Sequence, residues 1–94
     1  MIIVFSKRFR KEIEKAKHTY LIPKIKELIA IVKKNPFQNP PPYEKLRGCQ
    51  NTYSRRINEQ HRPVYVVDIE NGKIEFTRCW EHYEQEGNFG NLSM

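Results

Sequence analysis

The octapeptide from Asn35 to Pro42, NPFQNPPP, constrains this chain more than any other stretch, because four of its eight residues are proline. Proline has a fixed φ and no backbone N–H, so the run is excluded from a helix interior and from a central strand. It reads as a stiff, extended connector. The two sides of it carry different hydrophobic periods, and the division between a helical half and a strand half follows.

On the N-terminal side, Ile2-Ile3-Val4-Phe5 is a short β-branched and aromatic run and predicts a strand. Ser6 is placed to cap a helix carrying Phe9, Ile13 and Ala16 on one face and ending near His18-Thr19. Leu21, Ile25, Leu28, Ile29 and Val32 mark a second amphipathic helix, with Lys24, Lys26 and Lys33 opposite. Pro23 fits in its first turn, where a missing N–H costs nothing. Both apolar stripes are assigned to the core.

On the C-terminal side, Tyr43 to Leu46 forms a short element and Gly48 to Asn51 supplies turn residues. Thr52 to Asn58 and Arg62 to Ile69 read as strands, joined through Glu59-Gln60-His61. Asn71-Gly72 then sits before Ile74 to Thr77, a strong hairpin signal. The expected architecture is α+β, with two N-terminal helices packed on an antiparallel sheet of three or four strands besides the first. At 94 residues the chain has room for one core. Residues 1–83 are taken as that single domain and residues 84–94, polar and with two glycines from Gln85 onward, as a C-terminal extension.

Charge separates the same regions. Residues 6–34 hold ten Lys or Arg against three Glu, whereas residues 63–94 hold two against six acidic residues, within a formal net charge of +6. Polyanions are the natural partners of such a body, although lysine-rich helices also serve simply as solvated faces. The short apolar runs exclude a membrane span, and MIIVFSKRFR lacks the pattern of a secretory signal, so a cytoplasmic location is expected. Cys49 and Cys79 are expected there as two buried free thiols. Cys79 and His82 have C-x-x-H spacing and could join Cys49 and His61, but neither half repeats a known zinc spacing, so no metal is assigned.

The candidates for chemistry are Glu44, Lys45, Arg47, Arg55, Arg56, Arg62, His82 and Tyr83. These residue types suffice to cleave RNA without a metal. A carboxylate can take the proton of a 2′-hydroxyl, an arginine can neutralise charge growing on the phosphate, and an imidazole can protonate the departing 5′-oxygen. Each one also has an ordinary explanation as a surface group or ion-pair partner.

The run NPFQNPPPYEKLRG, then YSRRINEQHRPVYVV, and finally EHYE resembles the YoeB/Txe branch of the RelE-type toxins, over roughly residues 2 to 83. That resemblance implies a βααβββ fold and a ribosome-dependent mRNA interferase belonging to a bacterial toxin–antitoxin pair. It implies Glu44 as general base, Arg62 as phosphate-binding arginine, His82 as general acid and Tyr83 as the aromatic that orients the nucleotide. Arg47 and Arg56, with Lys45 and Arg55 beside them, fall at positions implied to bind RNA or phosphate. No cofactor is implied. The implied partners are the ribosome and mRNA and a cognate antitoxin of the YefM/Phd kind, with a homodimer or a toxin–antitoxin hetero-oligomer as the assembly and no membrane.

Three features depart from the pattern. Trp80-Glu81 stands where relatives often carry a basic residue, Pro63 removes a strand donor after Arg62, and Glu84 to Met94 continues past the His-Tyr pair. Two other functions use similar material: a noncatalytic gyrase inhibitor resembling ParE, and a plain basic RNA-binding module. Neither has use for an acid and a base beside a phosphate site.

Overall fold

The computed structural model describes residues 1–80, and its elements run β1 (Ile2–Phe5), α1 (Lys7–Lys15), α2 (Leu21–Lys34), β2 (Glu44–Lys45), β3 (Thr52–Ser54), β4 (His61–Asp68) and β5 (Lys73–Trp80). The extension from Glu84 lies outside the described residues. Ser6 caps α1 as its position suggests. Its Oγ accepts from the Phe9 N–H at 3.0 Å and donates to the Thr77 carbonyl at 2.8 Å, so one side chain both starts the helix and ties it to β5.

Helix α1 stops ahead of the expected His18-Thr19 boundary. His18 adopts a left-handed φ of 69°, which a right-handed helix cannot continue. Thr19 Oγ1 donates to the Ala16 carbonyl at 2.5 Å and accepts from the Leu21 N–H at 3.2 Å, joining the end of one helix to the start of the next. Pro23 lies in the first turn of α2.

The sheet order is β1-β5-β4-β3-β2. Strands β2 to β5 pair antiparallel as expected, and β1 joins β5 in parallel, which makes the five-stranded sheet mixed. A period-2 pattern carries no strand direction, so the parallel pairing of β1 is not legible in it. The registers align Phe5, Phe76, Tyr65 and Tyr53 in one row across four strands. Against this row pack Phe9, Leu21, Ile25 and Val32 from the helices, completing a core with Val67 and Ile74. Removing each such Phe, Leu or Ile from water stabilises the fold by about 1.5–3 kcal/mol.

At the β4–β5 hairpin, Gly72 takes the positive φ of 62° that the turn requires. Asp68 accepts from the Asn71 side-chain amide at 2.8 Å and its backbone N–H at 3.2 Å, and these bonds hold its carboxyl below the usual range. Strand β3 is shorter than the stretch to Asn58 that alternation suggests. It ends at Ser54, because Arg55 turns inward, and the Asn58 side chain then closes the loop by accepting from the N–H groups of Gln60 and His61, each at 2.9 Å.

The cysteines correct an expectation. Cys79 is buried, but Cys49 is exposed, since it lies in a turn between the positive-φ residues Gly48 and Asn51. Burial, with the nearby Glu12 carboxylate, pushes the Cys79 thiol up to about 12. Among the described residues no helix is long and apolar enough to cross a membrane.

Candidate active site

Glu44 opens β2, the edge strand that the proline-rich connector delivers to the sheet, and pairs with Ser54. Successive strand residues face opposite ways, so Glu44 and Lys45 are on different faces. Arg62 lies in β4 where the register slips. Between the pairs His61↔Trp80 and Val64↔Arg78, β4 has two residues, Arg62 and Pro63, against the single Cys79. The extra residue makes a bulge, and Pro63, which has no N–H to give to a ladder, is suited to it.

The bulge and the edge strand bring Arg62 Nη1 to 3.2 Å from Glu44 Oε1. The two side chains keep 25% and 71% of their exposure, so the pair is open to a ligand and contributes little to folding, about 0–1 kcal/mol. Pro42, Tyr43, Glu44, Ser54, Arg56 and Arg62 line one cleft of about 210 Å³. Arg56 donates to Glu59 at 2.8 Å in an exposed pair, from which a phosphate can draw it at small cost. A carboxylate able to accept a proton thus stands beside two guanidinium groups able to hold an anion. A larger groove of about 330 Å³ between the helices is floored by Phe5, Phe9, Ile13, Ile25 and Ile29 and is apolar. Arg10, Glu14 and Lys26 also line it.

The other candidates are distributed differently. Lys45 and Arg47 line a neighbouring shallow cleft with Cys49 and Gln50. Arg55 corrects the expectation of a phosphate ligand. It is 1% exposed, and its guanidinium is bonded to the connector from beneath. His82 and Tyr83 lie outside the described residues, which end with Trp80 paired to His61, the neighbour of Arg62. Among the described residues no cluster of three or more His, Cys, Asp or Glu could hold a metal ion.

A family model for the YoeB-like toxin of bacterial type II toxin–antitoxin systems matches residues 6–83. The chain belongs to the YoeB-like toxin family. Its structure is similar to the YoeB/ParE toxin from Agrobacterium tumefaciens, with a TM-score of 0.77 and 31% identity over 88% of this chain and 100% of that one. It is also similar to YoeB in the heterotetrameric YoeB–YefM complex from Staphylococcus aureus, with a TM-score of 0.73 and 31% identity over 88% of this chain and 98% of that one. The intact E. coli RelBE complex shares the fold, with a TM-score of 0.66 at 23% identity over 86% of this chain and 100% of that one. No curated protein matches.

Within this YoeB-like frame the register adds residues that sequence reasoning missed. Glu44, Ser54, Val64 and Arg78 form one cross-strand row, which sets Arg78 on the face that carries Glu44. Tyr43 and Ser54 line the cleft itself. Tyr43 has a signal in its place next to Glu44. Ser54 and Arg78 have none, because their alignment with Glu44 depends on strand pairing, and the Val64↔Arg78 pair lies between two register shifts.

Proposed function

We propose that this YoeB-like toxin is a ribosome-dependent mRNA endoribonuclease. The observation that carries the proposal is the Glu44–Arg62 contact at 3.2 Å in a cleft also lined by Arg56. Glu44 removes the proton from a 2′-hydroxyl, whose oxygen attacks the adjacent phosphorus. Arg62, with Arg56, neutralises charge on the phosphate oxygens as the phosphorus–5′-oxygen bond breaks. His82 protonates the leaving 5′-oxygen, so the products are a 2′,3′-cyclic phosphate, which water opens to a 3′-phosphate, and a 5′-hydroxyl. Tyr83 holds the neighbouring base on its ring. Support for His82 and Tyr83 is their place in EHYE. Lys45 and Arg47, in the next cleft, extend the cationic surface along the RNA backbone. No metal or cofactor takes part.

The chain works in the cytoplasm with mRNA and the ribosome as its targets. A cognate antitoxin of the YefM/Phd kind restrains it, by an acidic segment that folds on the basic surface of residues 6–34. The arrangement gives a toxin–antitoxin hetero-oligomer, with a homodimer as the form of the toxin alone. A noncatalytic ParE-like inhibitor would have no use for the Glu44–Arg62 pair.

End chemistry on programmed ribosomes tests the mechanism. Cleaved mRNA should carry 5′-hydroxyl and cyclic or 3′-phosphate ends, and His82→Ala should cut about 100-fold more slowly. Ends bearing a 5′-phosphate, or equal cutting of free mRNA, would overturn the proposal. A His82→Ala protein at the wild-type rate would remove His82 from the acid's role.

A further inference from the structure

Arg55 is the largest of the fully buried side chains, and most of its hydrogen bonds reach backward to the connector. Nη1 donates to the Pro41 carbonyl at 2.6 Å, and Nη2 donates to the carbonyls of Pro36 at 3.1 Å and Gln38 at 2.9 Å. Nε donates to the Tyr65 hydroxyl at 3.1 Å, which itself donates to the Pro36 carbonyl at 2.9 Å. The guanidinium carbon lies 5.2 Å from the centre of the Tyr43 ring. Buried carbonyls left without donors would each be costly, so these bonds fix the path of the connector.

That path ends at Glu44. The connector's four prolines have no N–H with which to join a ladder, and β2 is only two residues long. Two residue pairs with β3 hold Glu44 from one side. On the other side the hold comes from Arg55, through Pro41 two residues before Tyr43 and through the Tyr43 ring. A lysine at this place would keep the charge but lacks the planar fork that meets several carbonyls at once.

We propose that Arg55 is a positioning residue for Glu44, setting the angle at which its carboxylate meets Arg62 and the substrate by clamping the connector and Tyr43 from beneath. The inference rests on the assignment of Glu44 as base made above. Single-turnover cleavage on programmed ribosomes by Arg55→Lys, Glu44→Gln and the double variant tests it. Arg55→Lys should lower the saturating rate about tenfold or more, while half-saturation moves by less than about twofold. The double variant should be no slower than Glu44→Gln alone, because a loss that acts through Glu44 cannot be taken twice. Losses that multiply would assign Arg55 a merely structural role and overturn the proposal.

Tyr65→Phe supplies a milder variant for the case in which Arg55→Lys does not fold. It keeps the ring in the core and removes the hydroxyl between Arg55 and Pro36, and it should show the same non-additivity with a smaller loss. Carbon NMR of the Glu44 carboxylate, identified by its absence from Glu44→Gln, reads the position without cleavage. Its signal should move in whichever of the two variants folds, and an unmoved signal would overturn the proposal. A wild-type chain that cuts no RNA would instead overturn the nuclease function, and a Glu44→Gln protein at full rate would overturn the assignment of Glu44 as base; in either case the NMR result would still decide the positioning.

Discussion

The two ends of the aromatic row are built on opposite terms. At the helical end, Phe5, Phe9 and Phe76 meet with ring centres 5.4–6.0 Å apart within the apolar core cluster. At the connector end the row continues through Tyr65 and Tyr53 to Tyr43 and Phe37, with centres 5.1–6.0 Å apart, and wraps around the buried Arg55. The first end holds the protein together by excluding water. The second end uses hydrogen bonds to fix backbone that prolines leave without donors, and it is the end that presents Glu44 and Arg62. Tyr65 fits that duty, since burial, the dominant influence, holds its hydroxyl protonated above the ordinary range despite the nearby Arg55. It remains a donor to Pro36 at any physiological pH.

This contrast is sharpest under substitution. Phe76→Ala, in the middle of the row at the apolar end, should lower stability by about 3–5 kcal/mol in denaturant titration, the usual cost of such a cavity. Cleavage per folded molecule should persist. A variant that keeps its stability, or that folds and cannot cleave, would erase the distinction between the two ends.

A smaller effect separates the two thiols. A disulfide reagent at pH 8 should label Cys49 within minutes and leave Cys79 unlabelled until the protein unfolds, because Cys79 is buried and its thiol is held up to about 12. The folded state thus holds that proton more tightly than the unfolded one. The stability it contributes is complete below the ordinary value of 9.0 and is lost as pH rises toward 12. Equal labelling of both cysteines in the native protein would show that β5 is not sealed by α1.

How far the sequence discloses these features depends on how local they are. The Ser6 cap, the α2 stripe around Ile25 and the Gly72 turn follow from neighbours in the chain, and all are present. Glu44 and Arg62 stand out because their motif resembles that of a known family, and nothing in local periodicity would bring together residues 18 apart. Arg55 and Arg56 are the opposite case. They are adjacent and chemically identical, yet one is 1% exposed while the other has a side chain 53% exposed. Which of them turns inward is decided by carbonyls 14 to 19 residues away, as is the early end of β3. The parallel placement of β1 and the row that contains Arg78 likewise depend on tertiary pairing.

The central claim is that the Glu44–Arg62 pair at the connector end of the sheet performs the chemistry and contributes little to stability. Arg62→Ala tests it in one protein, with cleavage on programmed ribosomes and the thermal midpoint measured on the same sample. The cleavage rate should fall by about 100-fold or more, as when an electrostatic group at a reacting phosphate is removed. Stability should change by no more than about 1 kcal/mol, since the Glu44 partner is exposed. An Arg62→Ala protein that cleaves at the wild-type rate, or loses activity only in proportion to unfolding, would contradict the account.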